Sequence, residues 1–246
     1  MRFGPPIDIS LHGHRVDWLF EVTTYMVVFL VLIVFFVLAW SMIHFREGRV
    51  AKAHYDLGNK KKNTLLTLSI VMAIFLIVDG NLHVSTYKDL REVIFNYPKS
   101  EESLRVQIMP QQWAWNIRYA GEDNRFNTAD DLVTLNELRV PVNKPVNVQL
   151  RSKDVIHSFF LPHFRMKQDA NPGSVTKTWF QATKTGNFEI VCAELCGYAH
   201  YQMRGALKVL EPQEFEKWQQ EMQSWANTSY DAADVEALWG WNWEQK

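Results

Sequence analysis

From Cys192 to Met203 the chain reads C-A-E-L-C-G-Y-A-H-Y-Q-M. Two thiols, an imidazole and a thioether fall within twelve residues, and such soft donors select copper. Cys192 and Cys196 are the only cysteines in the chain, His200 follows the second by four residues, and Met203 follows that by three. A mononuclear blue-copper site takes one Cys, two His and a weak axial Met, so this loop holds one thiolate too many. Two coppers bridged by both cysteines resolve the excess, each metal taking two sulfurs, one imidazole and one weak axial ligand. That arrangement needs a second imidazole, and His157 in Asp154-Val155-Ile156-His157-Ser158 is the candidate, carried at a strand end by a β-rich run. Met203 can serve one copper axially and the backbone carbonyl of Glu194 the other.

Other readings of the loop are a disulfide between Cys192 and Cys196, a structural zinc site and a copper chaperone. A disulfide suits an oxidising compartment but leaves His200 and Met203 without a purpose. Structural zinc has no use for a thioether. The chaperone family with C-x-x-x-C and a distant His lacks the H-x-x-M continuation.

The combination of D-V-I-H-S with C-x-E-x-C-x-x-x-H-x-x-M about 35 residues later resembles the dinuclear copper (CuA) site of cytochrome c oxidase subunit II. Gln112-Trp113-Ala114-Trp115 is similar to that family's Q-W-x-W strand, and Lys167 to Gly173 to its K-x-D-A-x-P-G loop. The likeness covers residues 10 to 211.

Val22 to Ile43 contains no charged residue in 22 positions, enough to cross about 30 Å of hydrocarbon at 1.5 Å per residue. Asn63 to Val78 is uncharged over 16 residues, and Gly80 to Tyr87 again beyond Asp79, which predicts a second span with Asp79 near one membrane face. Between the spans lie Arg46, Arg49, Lys52, Lys60, Lys61 and Lys62 against Glu47 and Asp56, marking the cytoplasmic side and placing both termini in the periplasm of a bacterial-type inner membrane. The first 20 residues lack the pattern of a removable signal, so the first span is expected to act as its own insertion signal.

Beyond Lys88 short alternating segments predict strands at Leu104–Met109, Trp113–Tyr119, Leu132–Val140, Val146–Arg151, Val155–Leu161, Val175–Ala182, Asn187–Val191 and Ala206–Leu210, the spacing of a β-sandwich or barrel. Pro212 to Ala226 reads as a charged helix, followed by Trp239, Trp241 and Trp243. Residues 211–246 carry eight acids and two bases, a solvated tail or a docking element. The expected organisation is an N-terminal segment and two-helix hairpin over 1–90, a periplasmic β domain over 91–211 and a helical, Trp-rich tail over 212–246. The balance of 26 basic to 27 acidic residues speaks against nucleic acid, and no C-x-x-C-H motif is present for a fused c-type haem.

The resemblance implies an all-β cupredoxin fold behind two transmembrane helices. It implies a copper centre held by His157, Cys192, Glu194, Cys196, His200 and Met203, with Trp113 receiving electrons from a partner cytochrome c or c-domain donor. Electrons would pass to the haem of subunit I, where oxygen is reduced to water with proton translocation, among other oxidase subunits. The Glu194 side chain would reach a magnesium ion at the subunit I boundary. Asp154, Asp130 and Asp131 could steer a basic donor. The sequence departs from the family at Lys62-Asn63-Thr64-Leu65-Leu66, where common members carry a Glu (E-x-x-W-T) that feeds a proton channel, and at Pro172-Gly173-Ser174 in place of P-G-R. The first departure keeps open a copper subunit of a nitric oxide reductase; a membrane-tethered copper carrier is the alternative outside the enzymes.

Overall fold

The apolar run that predicts the first span folds as a helix, Gly13–His44, in a computed structural model that describes residues 4–49 and 57–229. Trp239, Trp241 and Trp243 lie outside the described residues. The chain divides into two units, residues 15–93 and residues 1–14 together with those from 94 onward.

In the first unit nothing interrupts the backbone ladder of Gly13–His44, which has no proline and no glycine after its first residue. Thr23, Thr24 and Ser41 turn their hydroxyls back onto the carbonyls of Leu19, Phe20 and Val37, each at 2.7 Å, so the polar atoms of the apolar stretch are satisfied inside the helix. The second helix, Lys61–Ile94, runs for 34 residues and includes π-helical turns at Phe75–Asp79 and Leu90–Ile94. It is longer than the uncharged run predicted, and Asp79 lies inside it, at the end of a π-helical turn. Both helices are long and apolar enough to cross a membrane. Phe35, Phe36, Leu76 and Ile77 are exposed, as expected for side chains that meet lipid or other subunits. Arg15 joins the helices, its guanidinium 2.9 Å from Asp89 and 3.0 Å from Glu92.

The second unit is built on two five-stranded sheets. One has the order β3-β2-β1-β5-β8, from β1 (Leu104–Gln111), β2 (Ala114–Tyr119), β3 (Leu132–Leu135), β5 (Pro145–Leu150) and β8 (Thr176–Gln181). The other has the order β4-β10-β9-β6-β7, from β4 (Glu137–Pro141), β6 (His157–Leu161), β7 (Met166–Ala170), β9 (Gly186–Cys192) and β10 (Arg204–Leu210). Alternation does what it should: in β5, Val146, Val148 and Leu150 are buried while Pro145, Asn147 and Gln149 face outward. Trp115 of β2 and Phe159 of β6 meet edge to face at 5.7 Å, joining the two sheets through the core.

Two expectations change. The single strand predicted over Leu132–Val140 is two strands in opposite sheets, divided at Asn136, whose φ of 57° lies in the left-handed region that Asn tolerates. Its side chain accepts from the Trp115 N–H at 2.7 Å and its own N–H donates to the Trp115 carbonyl at 2.8 Å, which fixes the turn. Lys167 to Gly173, read as a loop, begins as strand β7, whose polar sequence M-K-Q-D-A gives no apolar alternation yet pairs with β6 from His157↔Ala170 to Leu161↔Met166.

Two further segments close the domain. The stretch from Pro6 to Leu11 is stitched along it: Ile9 donates to the His163 carbonyl (3.1 Å) and accepts from Thr183 N–H (2.7 Å), and Leu11 donates to the Gln181 carbonyl (3.0 Å). Ile9 itself is 2% exposed. At the other end, the helix Pro212–Ser229 buries Phe215 and Trp218, three residues apart on one face, with Trp218 5.2 Å from the buried Tyr119 ring.

Candidate metal centre

Strands β6 and β9 are antiparallel neighbours with Phe159 opposite Cys192, so the first residue of β6, His157, comes to the same end of the sheet as the last residue of β9. The chain then turns through residues 193–203 into β10, held by the Ala193 N–H on the Ser158 carbonyl (3.0 Å) and the Cys192 N–H on the Met203 carbonyl (3.2 Å). A short 3-10 turn, His200–Gln202, brings His200 and Met203 back toward the cysteines.

All six residues expected as ligands converge. Cys192 Sγ lies 3.7 Å from Cys196 Sγ, 3.9 Å from His157 Nδ1 and 3.3 Å from the Glu194 carbonyl oxygen. Cys196 Sγ lies 3.5 Å from His200 Nδ1 and 3.7 Å from Met203 Sδ. Each sulfur thus has its own imidazole and its own weak donor. His157, Cys192, Cys196 and Met203 are buried, and both thiols are free, so the disulfide reading is not what this fold adopts. The Glu194 carboxylate side is exposed, pointing its carbonyl inward and leaving its side chain at the surface.

The two thiols differ electrostatically. Burial works to raise both. For Cys192 it is outweighed by hydrogen bonds with His157 and the Ser158 and Glu194 backbone, which hold it below the ordinary thiol range. Burial and then the neighbouring Cys192 push Cys196 well above it.

Sequence reasoning missed the groups that hold these donors. His157 Nε2 lies 2.8 Å from Asp154 Oδ1, a contact that orients the ring and turns Nδ1 toward Cys192. Burial would raise Asp154, but bonds from the Gln112 N–H, His157 and the Val155 N–H hold it below the usual carboxylate range. The i, i+3 spacing of Asp154 and His157 was the available signal. Asp154 is therefore a buttress, and of the other two expected steering charges, Asp130 and Asp131, the latter has a side chain only 8% exposed, 3.5 Å from Arg118. Gln112 donates its backbone N–H to Asp154 Oδ2 (2.7 Å) and its side-chain amide to the Cys196 carbonyl (2.8 Å). Trp113 is 39% exposed next to this corner, whereas Trp115 is fully buried in the core.

The family model described as "Cytochrome C oxidase subunit II, periplasmic domain" matches residues 104–210. Among curated proteins, the chain is 34% identical over 232 residues to the alternative cytochrome c oxidase subunit 2 of Bradyrhizobium diazoefficiens, covering 85% of this chain and 80% of the relative. It is 43% identical over 121 residues to cytochrome c oxidase subunit 2 of Thermostichus vulcanus, covering 49% of this chain and 34% of that relative. The solved periplasmic domain of subunit II of cytochrome oxidase from Bradyrhizobium japonicum is 35% identical, with a TM-score of 0.46, over 52% of this chain and 96% of that one. The β-sandwich bearing a Cys/His donor cluster is the cupredoxin-like periplasmic domain of that family model, and with the Bradyrhizobium relative matched over 85% of this chain, the chain belongs to the cytochrome c oxidase subunit II family.

Proposed function

We propose that this chain is the electron-accepting subunit of a bacterial terminal oxidase, holding a dinuclear copper centre on the periplasmic side of the inner membrane. The observation that carries the reading is the paired donor set: two sulfurs 3.7 Å apart, each with one imidazole Nδ1 and one weak donor at 3.3–3.9 Å. Ligand atoms about 2.0–2.3 Å from a borderline-soft metal stand roughly 3.3–3.8 Å apart at a tetrahedral angle, so the spacing fits metals between them. Zinc would leave Met203 idle; copper would not.

Copper bound here supplies a one-electron couple. The residues do the rest. Cys192 and Cys196 would bridge the metals, His157 and His200 would each take one, and Met203 and the Glu194 carbonyl would complete the two sites. The sandwich fixes these donors at one end of a rigid core, so that little rearranges when charge changes. Trp113, half-exposed beside Gly197, would receive electrons from a partner cytochrome c or c-domain donor. Electrons would continue to the haem of subunit I, where oxygen is reduced to water and protons are translocated. The exposed Glu194 side chain is free to reach a magnesium ion shared with that subunit.

The test is to purify the intact complex through this chain and follow oxygen and nitric oxide consumption in parallel with reduced cytochrome c as donor. Oxygen uptake that vanishes in Cys196→Ser supports the reading. Nitric oxide turnover without oxygen uptake would assign the subunit to a reductase, and readily removed copper with neither activity would make it a carrier.

A further inference from the structure

We propose that Gln112 is a positioning residue for the copper centre, one residue whose backbone N–H and side-chain amide tie the upstream imidazole and the ligand loop to the same strand end. The proposal rests on the copper reading above. Gln112 follows β1, in the sheet that contributes none of the six donors. Its backbone N–H holds Asp154 Oδ2 at 2.7 Å, and the other oxygen of that carboxylate holds His157 Nε2 at 2.8 Å. Its side-chain Nε2 holds the Cys196 carbonyl at 2.8 Å.

The corner that receives the amide is shaped for it. Gly197 has φ of 121°, a conformation that disfavours side chains, and a Cβ there would stand 2.7 Å from Gln112 Nε2. The glycine therefore both makes the turn after Cys196 and opens the path by which the amide reaches the carbonyl. With that peptide fixed, the Cys196 backbone is fixed, and with it the direction of Sγ toward Cys192, His200 and Met203. Groups that orient ligands from behind typically alter metal affinity by about 10–100-fold when removed. Gln112 is itself exposed, so its replacement leaves the core packing intact.

The experiment uses the full-length protein in its complex, as wild type, Gln112→Glu and Gln112→Ala. Gln112→Glu keeps the size and the backbone bond but loses the donor. Read out are copper per complex, the rate of copper loss to a copper(I) chelator, the visible spectrum, and the thermal midpoint of the metal-free protein. The expected result is about 10-fold or faster copper loss in both variants, with a shifted spectrum and an unchanged metal-free midpoint. Chelation rates and spectra equal to wild type in Gln112→Glu, with two coppers in the wild type, would overturn this proposal alone. A fall in the metal-free midpoint that matches the copper loss would also overturn it, since the residue would then be structural. A wild-type complex without copper would overturn the copper reading itself.

Discussion

The Trp113 indole lies against Gly197: a methyl group placed on the glycine would stand 3.3 Å from Trp113 Cζ2 and 3.5 Å from its Nε1. Because Gly197 directly follows Cys196, the half-exposed ring is one peptide away from the residue that carries one of the two sulfurs. The electron entry proposed at Trp113 would pass through this packed contact between the surface and the donor cluster.

Replacing Trp113 by Ala should slow reduction by cytochrome c roughly tenfold or more, equivalent to about 1.4 kcal/mol or more in barrier. The visible spectrum and copper content should stay as in the wild type, because Trp113 donates no ligand. Stopped-flow mixing with reduced cytochrome c separates the two readouts; a variant that loses its copper would show that the ring is structural.

Gly197→Ala should be worse than its size suggests. The methyl group meets Gln112 Nε2 at 2.7 Å and the backbone sits at φ 121°, so strain of about 1–3 kcal/mol is expected. A lower thermal midpoint and easier copper loss, measured on one preparation, would check both effects.

His157→Ala removes the one donor that comes from outside the loop. The copper-to-protein ratio should fall, and what remains should be held more weakly than after loss of a group behind a ligand, which costs about 10–100-fold, as judged by competition with a chelator. Cys196→Ser should abolish the dinuclear centre, which elemental analysis and the loss of its spectrum would register.

Trp218→Ala should cost about 3–5 kcal/mol, since the ring is 6% exposed and packs on Tyr119 and Phe215. The exposed Gln220 on the same helix is the control, with an effect within about 0.5 kcal/mol on mutation to Ala. Urea unfolding of the two variants decides it.

The N-terminal strap makes a sharper contrast. Ile9→Asp would place a charge at a position 2% exposed, while Ile7→Asp changes a residue 53% exposed only two positions away. The first should destabilise the domain by about 3 kcal/mol or more and the second by about 0.5 kcal/mol or less, as read from thermal midpoints.

Much of this was legible in the chain. Five of the six candidate donors sit in one loop, and Val, Leu and Ile alternate clearly in β1 and β5, so the donor loop and these strands follow from local pattern. What was hidden depends on tertiary pairing. Strand β7 earns no apolar signal because it lies at a sheet edge, paired on one side only. The break at Asn136 lies inside an unbroken β-like run and is decided by which sheet each half joins. The burial of Ile9 is set by residues more than 150 positions away, His163 and Thr183. Gln112 and Asp154 looked like surface polar groups until their partners were in place.

The pairing of β6 with β9 carries a further consequence. His157 and Cys192 point into one site only in the register that sets Phe159 opposite Cys192. A slip of one residue would turn every side chain of β6 to the other face of the sheet and carry the imidazole away from the sulfurs. The donor cluster is therefore a gauge of strand alignment. One extra residue between His157 and Phe159 would leave a well-formed loop of thiols with no partner across the sheet.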